Sequence, residues 1–246
     1  MFSWFKTKNK EEIQNIDNQM DMHSHLLPAI DDGAKNMDET LRLIRRFIDL
    51  GYKKLITTPH IMSDFYLNTP EIIKAKLAEV RQILRENQMN IEIYAAAEYY
   101  LDEGFVEKIN KKEPLLTLHA TKKYVLFETS YMNASPHFDH AVFEMQSQGY
   151  QPVLAHPERY VYLFNNFEKL KTWYDKGILF QINTNSLNGY YSLDSKKIAE
   201  KLIDNKMVNF IGSDCHKDKH LDNLQAVHKL PYYKKVTNLD LLNHKL

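Results

Sequence analysis

The stretch KYVLFETSYMNASPHFDHAVFEMQSQGYQPVLAH, residues 123–156, decides the fold. Its two ends, KYVLFET and QPVLAH, are nearly continuous apolar runs, the pattern of strands whose two faces are both covered, as in a parallel sheet. Between them, from His137 to Gln148, runs a helical segment. A strand, a helical crossover and a second strand form the repeating unit of an α/β fold.

Outward from this unit the pattern repeats. QMDMH, KKLITTPH and IEIYAAAE read as three earlier strands, the second broken at Pro59, and ILFQINTN and MVNFIGSD as two later ones. In NMDETLRLIRRFIDLG, Asn36 caps a helix, Glu39 follows three residues on, Leu41, Ile44 and Ile48 mark its inner face, and Gly51 stops it. Thr69 and Pro70 open a second helix with Ile73, Leu77, Val80 and Leu84 at helical spacing. Further helices are expected over Phe167 to Lys176 and Ser195 to Lys206. Seven strands with helical crossovers predict a barrel-like α/β fold, for which 246 residues is an ordinary length. With no low-complexity tract, repeat or linker, one domain over residues 18–246 is expected behind an N-terminal arm, 1–17.

Composition narrows the function. Lys plus Arg and Asp plus Glu are each 32, so no surplus of positive charge marks a nucleic-acid footprint. The single cysteine, Cys215, has no internal disulfide partner and fits a reducing compartment. No run of about 18 apolar residues exists to span a bilayer. The opening MFSWFKTKNK places apolar residues before basic ones, the reverse of a secretory signal. It reads as a packed or loosely ordered arm, with weak membrane-surface contact through Phe2, Trp4 and Phe5 as the alternative.

Six of the seven strands end on a metal-competent side chain: His23-Ser24-His25, Thr58-Pro59-His60, Ala97-Glu98, Phe127-Glu128, Ala155-His156 and Ser213-Asp214-Cys215-His216. In a parallel barrel these carboxyl ends open on one face, where active sites lie. With Asp32, from the segment HSHLLPAIDDGA, they make nine candidate ligands: His23, His25, Asp32, His60, Glu98, Glu128, His156, Asp214 and His216. One such histidine is an ordinary polar residue; the joint occurrence at successive strand ends points to metal. Mixed imidazole and carboxylate donors suit Mn, Fe or Zn, and nine donors suit two or three ions. A bridged pair of ions acidifies a water and clamps an in-line phosphoryl displacement. His119, His137, His140, His220, His228 and His244 lack this placement and are read as ordinary.

Arg159 follows His156 by three residues, whereas every other arginine lies at or before Arg85. A guanidinium there suits a bidentate grip on a phosphate or carboxylate, against the simpler reading of an ion pair with Glu158 or a neighbour. Tyr99, Tyr100, Tyr131 and Tyr160, just past the candidate ligands, are expected either as an aromatic wall or as loop anchors. A cysteine-phosphatase mechanism is excluded, because no arginine follows Cys215.

DMHSHLLPAIDDGA, TTPH, AAEYYL, LFETS, LAHPERY and GSDCH together resemble the PHP (polymerase and histidinol phosphatase) family, and within it the bacterial protein-tyrosine phosphatases of capsular and exopolysaccharide assembly, over about Met20 to Asp222. The resemblance implies a distorted TIM-like (β/α)7 barrel, the PHP fold, with a manganese-favouring metal centre held by the nine candidates. It implies a phosphate-binding Arg159, and Asp32 and His60 join it in the catalytic set. The implied partner is a tyrosine-phosphorylated tail on a membrane tyrosine kinase. The expected location is cytoplasmic, peripheral at the inner membrane through that partner. A small-molecule phosphatase of the histidinol-phosphatase kind is the alternative, and a phosphopeptide-binding module without turnover is the non-enzymatic one. Family members often carry a second arginine after the SD-x-H motif; here Lys217 and Lys219 are the only nearby cations.

Overall fold

Strand and helix alternate along the chain as the sequence predicts, but two of the seven strands are split. A computed structural model describes residues 20–246; the expected arm, 1–17, lies outside them. The strands are β1 (Met20–Asp21), β2 (Lys54–Thr57), β3 (His60–Ile61), β4 (Glu92–Ala95), β5 (Glu98–Tyr100), β6 (Tyr124–Glu128), β7 (Gln151–Ala155), β8 (Leu179–Asn183) and β9 (Phe210–Gly212). The helices are α1 (Met37–Asp49), α2 (Pro70–Glu86), α3 (Glu103–Asn110), α4 (Phe138–Ser147), α5 (Phe167–Asp175), α6 (Leu193–Asp204), α7 (Asp218–Val227) and α8 (Pro231–Thr237).

Every pairing between these strands is parallel, in the orders β1-β2-β4 and β3-β5-β6-β7-β8-β9. Pro59 has no N–H to donate, so it ends β2, and the chain resumes at His60 paired with Glu98. The same step divides β4 from β5 and turns the array from one sheet to the other. A parallel bridge between Ser24 and Cys215 and the Asp214 N–H to His23 carbonyl bond of 2.8 Å join the first strand's end to the last. The result is a ring of seven staves, two of them broken.

Strand periodicity sorts the side chains. Tyr124 and Leu126 of β6, Val153 and Ala155 of β7, Ile56, Ala96 and Phe210 pack together within the ring. The alternate residues Val125, Phe127 and Leu154 face the helical layer, with Trp173 of α5 stacked 4.0 Å from Phe138 of α4. Continuing the inward series by two residues puts Glu128 after Leu126 and Glu98 after Ala96, so the pleat itself aims both carboxylates inward.

In α2, Thr69 caps the helix by accepting from the Ile72 N–H, Pro70 starts it, and Ile73, Leu77, Val80 and Leu84 are buried as the spacing predicts. In α1 the cap is Asn36, but the buried stripe is Thr40, Leu43, Ile44 and Phe47, with Leu41 and Ile48 at its margin. Phe47, the largest apolar residue available, fixes that rotation by packing edge-on to Tyr52 at 5.1 Å. α3, α7 and α8 were not expected from the sequence. α3 and α8 are short, with too few apolar positions to set a clear period, whereas α7 buries Leu221, Leu224 and Val227 along one face.

His228, beyond α7, lies 3.4 Å from the Tyr52 hydroxyl and against Tyr233. Burial pushes its pKa down to about 4. The unfolded chain takes up this proton near pH 6.5 while the folded chain refuses it, so stability is complete above 6.5 and falls as pH drops toward 4. Chemical denaturation at pH 7 and pH 5 should show the wild type losing more stability than His228→Gln, by up to about 2 kcal/mol. Equal losses in the two proteins would refute this account.

Candidate metal centre

The ends of the staves bring together all nine candidates. Their donor atoms form four overlapping groups, each within 4.8 Å: His25, Asp32, His60 and His216; His23, His25 and Asp214; His23, Glu98 and His156; His60, Glu98 and Glu128. Glu98 is the hub. Its Oε2 lies 3.2 Å from His23 Nε2, 3.4 Å from His25 Nε2 and 3.2 Å from His60 Nδ1, and its Oε1 lies 3.0 Å from His156 Nε2. Asp214 Oδ1 is 3.5 Å from His23 and 3.4 Å from His216 Nδ1, while Asp32 Oδ1 reaches His60 at 3.5 Å and His216 at 3.3 Å. Asp32 is the exposed member, with half its side chain open to solvent. The others are buried or nearly so.

Other residues hold these groups in place. His23 Nδ1 lies 2.8 Å from Gln181 Oε1 and His25 Nδ1 2.8 Å from Asp31 Oδ2. Asp31 also accepts the Gly33 and His60 N–H groups, which locks the loop after β1 over the cluster. A Cβ at Gly33 would stand 2.1 Å from the His25 carbonyl oxygen, so only glycine allows that fold-over. His156 and Asp214 both adopt left-handed backbone, φ +33° and +51°. Such strain persists where surrounding contacts over-determine it, and it gathers at functional sites.

The electrostatics fit a bound cation. Burial and then the charges of Glu98 and Asp214 push the Glu128 carboxyl well above its ordinary range. Burial also opposes ionisation of Glu98 and Asp214, but the charge of His23 and the hydrogen bonds of His156 and His23 at the first, and His23, His216 and Arg159 beside the second, hold both well below it. Burial lowers His60 to about 4, leaving a neutral ring with a lone pair. His60 Nδ1 is buried without a hydrogen-bond partner, although Glu98 Oε2 and Glu128 Oε1 each lie 3.2 Å away. Two carboxylate oxygens and an unpartnered imidazole nitrogen converging in this way are the donor set of a divalent transition ion.

Arg159 lies at the edge of this cluster. Its Nη1 donates to Asp214 Oδ2 at 2.8 Å, and its guanidinium is held between the Tyr191 and Tyr131 rings at 4.1 and 4.6 Å. Glu158 is not its ion-pair partner; that carboxylate is buried and accepts from the Asn183 N–H and the Ser186 hydroxyl. Tyr131 packs on His156 at 5.7 Å and donates to Glu128, whereas Tyr99 and Tyr160 are buried anchors, the first accepting from Leu116 N–H and the second donating to the Ala155 carbonyl. Lys217 and Lys219 are exposed, and Lys219 lies 5.7 Å over the Tyr190 ring.

Sequence reasoning passed over Asp31, Gln181, Asn183, Tyr66 and Tyr191. Two signals were available. Asp31 precedes Asp32-Gly33, an Asx-turn pattern, and its Oδ1 does cap Gly33. Gln181 and Asn183 are amides two apart in an otherwise apolar strand, and buried amides need partners: Asn183 donates to Asp214 Oδ2 at 2.7 Å. His220, read as ordinary, is buried behind the site, where its Nδ1 accepts the His216 N–H.

Known proteins resemble this chain in sequence and architecture. The tyrosine-protein phosphatase YwqE of Bacillus subtilis is 30% identical over 200 residues, covering 81% of this chain and 78% of its own. The tyrosine-protein phosphatase CpsB of Streptococcus pneumoniae is 29% identical, covering 80% and 82%. A crystal structure from a study of YwqE and CpsB, described as metal-dependent tyrosine phosphatases, superposes with a TM-score of 0.78 at 26% identity over 89% of this chain and 90% of that one. The histidinol phosphate phosphatase of Lactococcus lactis, TM-score 0.53 at 17% identity over 86% and 93%, shares the fold. The capsular polysaccharide synthesis family CpsB/CapC matches residues 19–230, and the chain belongs to that family.

Proposed function

We propose that this protein is a metal-dependent protein-tyrosine phosphatase, a phosphoric monoester hydrolase acting on a tyrosine-phosphorylated protein. The observation that carries the reading is the convergence of nine imidazole and carboxylate donors beside one clamped arginine. His23, His25, Asp32, His60, Glu98, Glu128, His156, Asp214 and His216 would hold two or three divalent ions, manganese before iron or zinc, and four overlapping donor groups, two of them sharing Glu98, support that count. Bound there, such ions supply an acidified water and neutralise charge on the phosphoryl oxygens.

The chain's own residues do the rest. Glu98 spaces the donors and offsets the charge of the histidines around it. Arg159 leaves or shares Asp214 to grip the phosphoryl oxygens, its plane fixed by Tyr131 and Tyr191. Asp32 stays ionised, because His216 and then His25 outweigh its partial burial, and it accepts a hydrogen bond at the solvent side of the mouth, with His60 beside it. The likeness to YwqE and CpsB supports phosphotyrosine as the ester and, through the family, a tyrosine kinase controlling capsular or exopolysaccharide synthesis as the protein that bears it. Cytoplasmic action at the inner membrane would follow from such a partner; among the described residues no helix is long and apolar enough to cross a membrane. The single domain spans residues 18–246.

Phosphate release from a phosphotyrosine peptide, with and without added manganese and beside histidinol phosphate, tests the proposal. Manganese-dependent release favouring the peptide is expected. Faster turnover of histidinol phosphate, or tight peptide binding with no release, would replace it.

A further inference from the structure

We infer that the cleft between the turn after β3 and helix α3 is a binding subsite for an apolar side chain flanking the phosphotyrosine of the substrate. The inference rests on the phosphatase reading and names the feature beyond the phosphorylated ring that the same site recognises. The cleft has a volume of about 240 Å³ and is walled by Ile61, Met62, Tyr66, Leu67 and Phe105. That is below the size of a typical small-molecule pocket, about 300 Å³ and upward, and suits a single side chain.

Its charged lining is already satisfied. Asp102 accepts the Ser63 N–H at 2.7 Å and the Phe105 N–H at 2.8 Å, and Lys108 donates to Glu113 at 2.7 Å. No free charge remains to greet a polar residue, so the occupant the cleft favours is apolar.

The cleft adjoins the candidate metal centre across a single ring. Tyr66 forms its wall and at the same time stacks on His60, ring centroids 5.6 Å apart and planes 13° from parallel. An extended peptide advances about 3.3 Å per residue, so a chain whose phosphate meets the cluster brings a residue within about three positions of it over the cleft. Phe65 and Leu67, 76% and 74% exposed, border this path and add apolar surface for the same peptide.

The turn is preformed. Met62 and Tyr66 exchange backbone hydrogen bonds of 3.0 and 3.1 Å, and Asn68 Nδ2 donates to the carbonyls of both Ile30 and His60, at 2.8 Å each. A Cβ at Gly104 would fall 2.0 Å from Ser63 Oγ, so the bare glycine lets the turn seat on α3. A rigid cleft binds a side chain without first ordering itself.

Paired phosphotyrosine peptides carrying leucine or serine at the flanking positions test this, with p-nitrophenyl phosphate as a substrate that has no flanks. The manganese-loaded wild type should favour the leucine peptide by about tenfold in kcat/KM. Leu67→Asp, at an exposed position, should reduce that preference to about twofold or less and leave p-nitrophenyl phosphate turnover unchanged. The same order should appear in fluorescence anisotropy with non-hydrolysable phosphonate versions of the peptides. Equal use of the two peptides by the wild type, or a preference that survives Leu67→Asp, overturns the subsite. If the wild type hydrolyses none of the three substrates, the phosphatase reading fails, and the anisotropy preference alone then upholds or overturns the subsite.

Discussion

Glu98→Gln should lower the rate of phosphate release by more than about a hundredfold and reduce the metal bound per chain. Glutamine keeps the volume of the side chain but exchanges one oxygen for an NH2 group, which has no lone pair to offer. Glu98 alone reaches four histidines, His23, His25 and His60 through one oxygen and His156 through the other. Two of the four donor groups contain it, and the other two contain histidines that it touches. Replacing residues that merely orient a ligand costs about 10- to 100-fold in metal affinity or activity, and a residue within the donor set should exceed that range. Elemental analysis and steady-state kinetics on the same preparations supply the check. A Glu98→Gln protein with full metal content and near wild-type turnover would end the proposed metal role of this residue.

Arg159→Lys should be nearly as damaging as Arg159→Ala, each reducing kcat/KM by about 10²- to 10³-fold, the usual effect of losing one donor to developing charge. The bound metal should change little, because every donor atom in the four groups remains. Lysine keeps the positive charge but loses the planar fork and the two-sided stacking between Tyr131 and Tyr191. Charge alone would therefore not rescue the enzyme. If Arg159→Lys retains most of the activity, the guanidinium plane is not what the site uses. If both variants lose metal in step with activity, Arg159 acts by holding Asp214 and not by gripping substrate.

The two predictions separate parts of the site that were legible to different degrees. The histidines and carboxylates could be found because a strand's end is marked locally: an apolar run stops, and the next polar residue is visible in the text. Arg159 stood out by the same logic and by the scarcity of arginine in the later chain. Asp31 was hidden by its neighbour. Asp31 and Asp32 are chemically alike and adjacent, yet one is buried against His25 and the other faces solvent, and that difference arises from how the loop folds over Gly33. Tyr191 and Tyr66 were invisible for a related reason. Nothing in a local window shows that a ring 32 residues beyond Arg159 lies 4.1 Å from its guanidinium, or that a turn after β3 returns to cover His60.

The sequence by itself determined the alternation of strand and helix, the parallel arrangement and the identity of the metal-competent residues, because each follows from short-range patterns of apolar and polar side chains. It could not settle the rotation of α1, where both Leu41 and Phe47 fit a helical stripe and only packing against Tyr52 chose the second. Nor could it reveal the split of the second and third staves into two sheets, the partners that orient His23 and His25, or the cleft beside Tyr66. These depend on contacts between residues far apart in the chain, whose separations are fixed only when the ring closes and each buried polar group finds the partner that its loss of water requires.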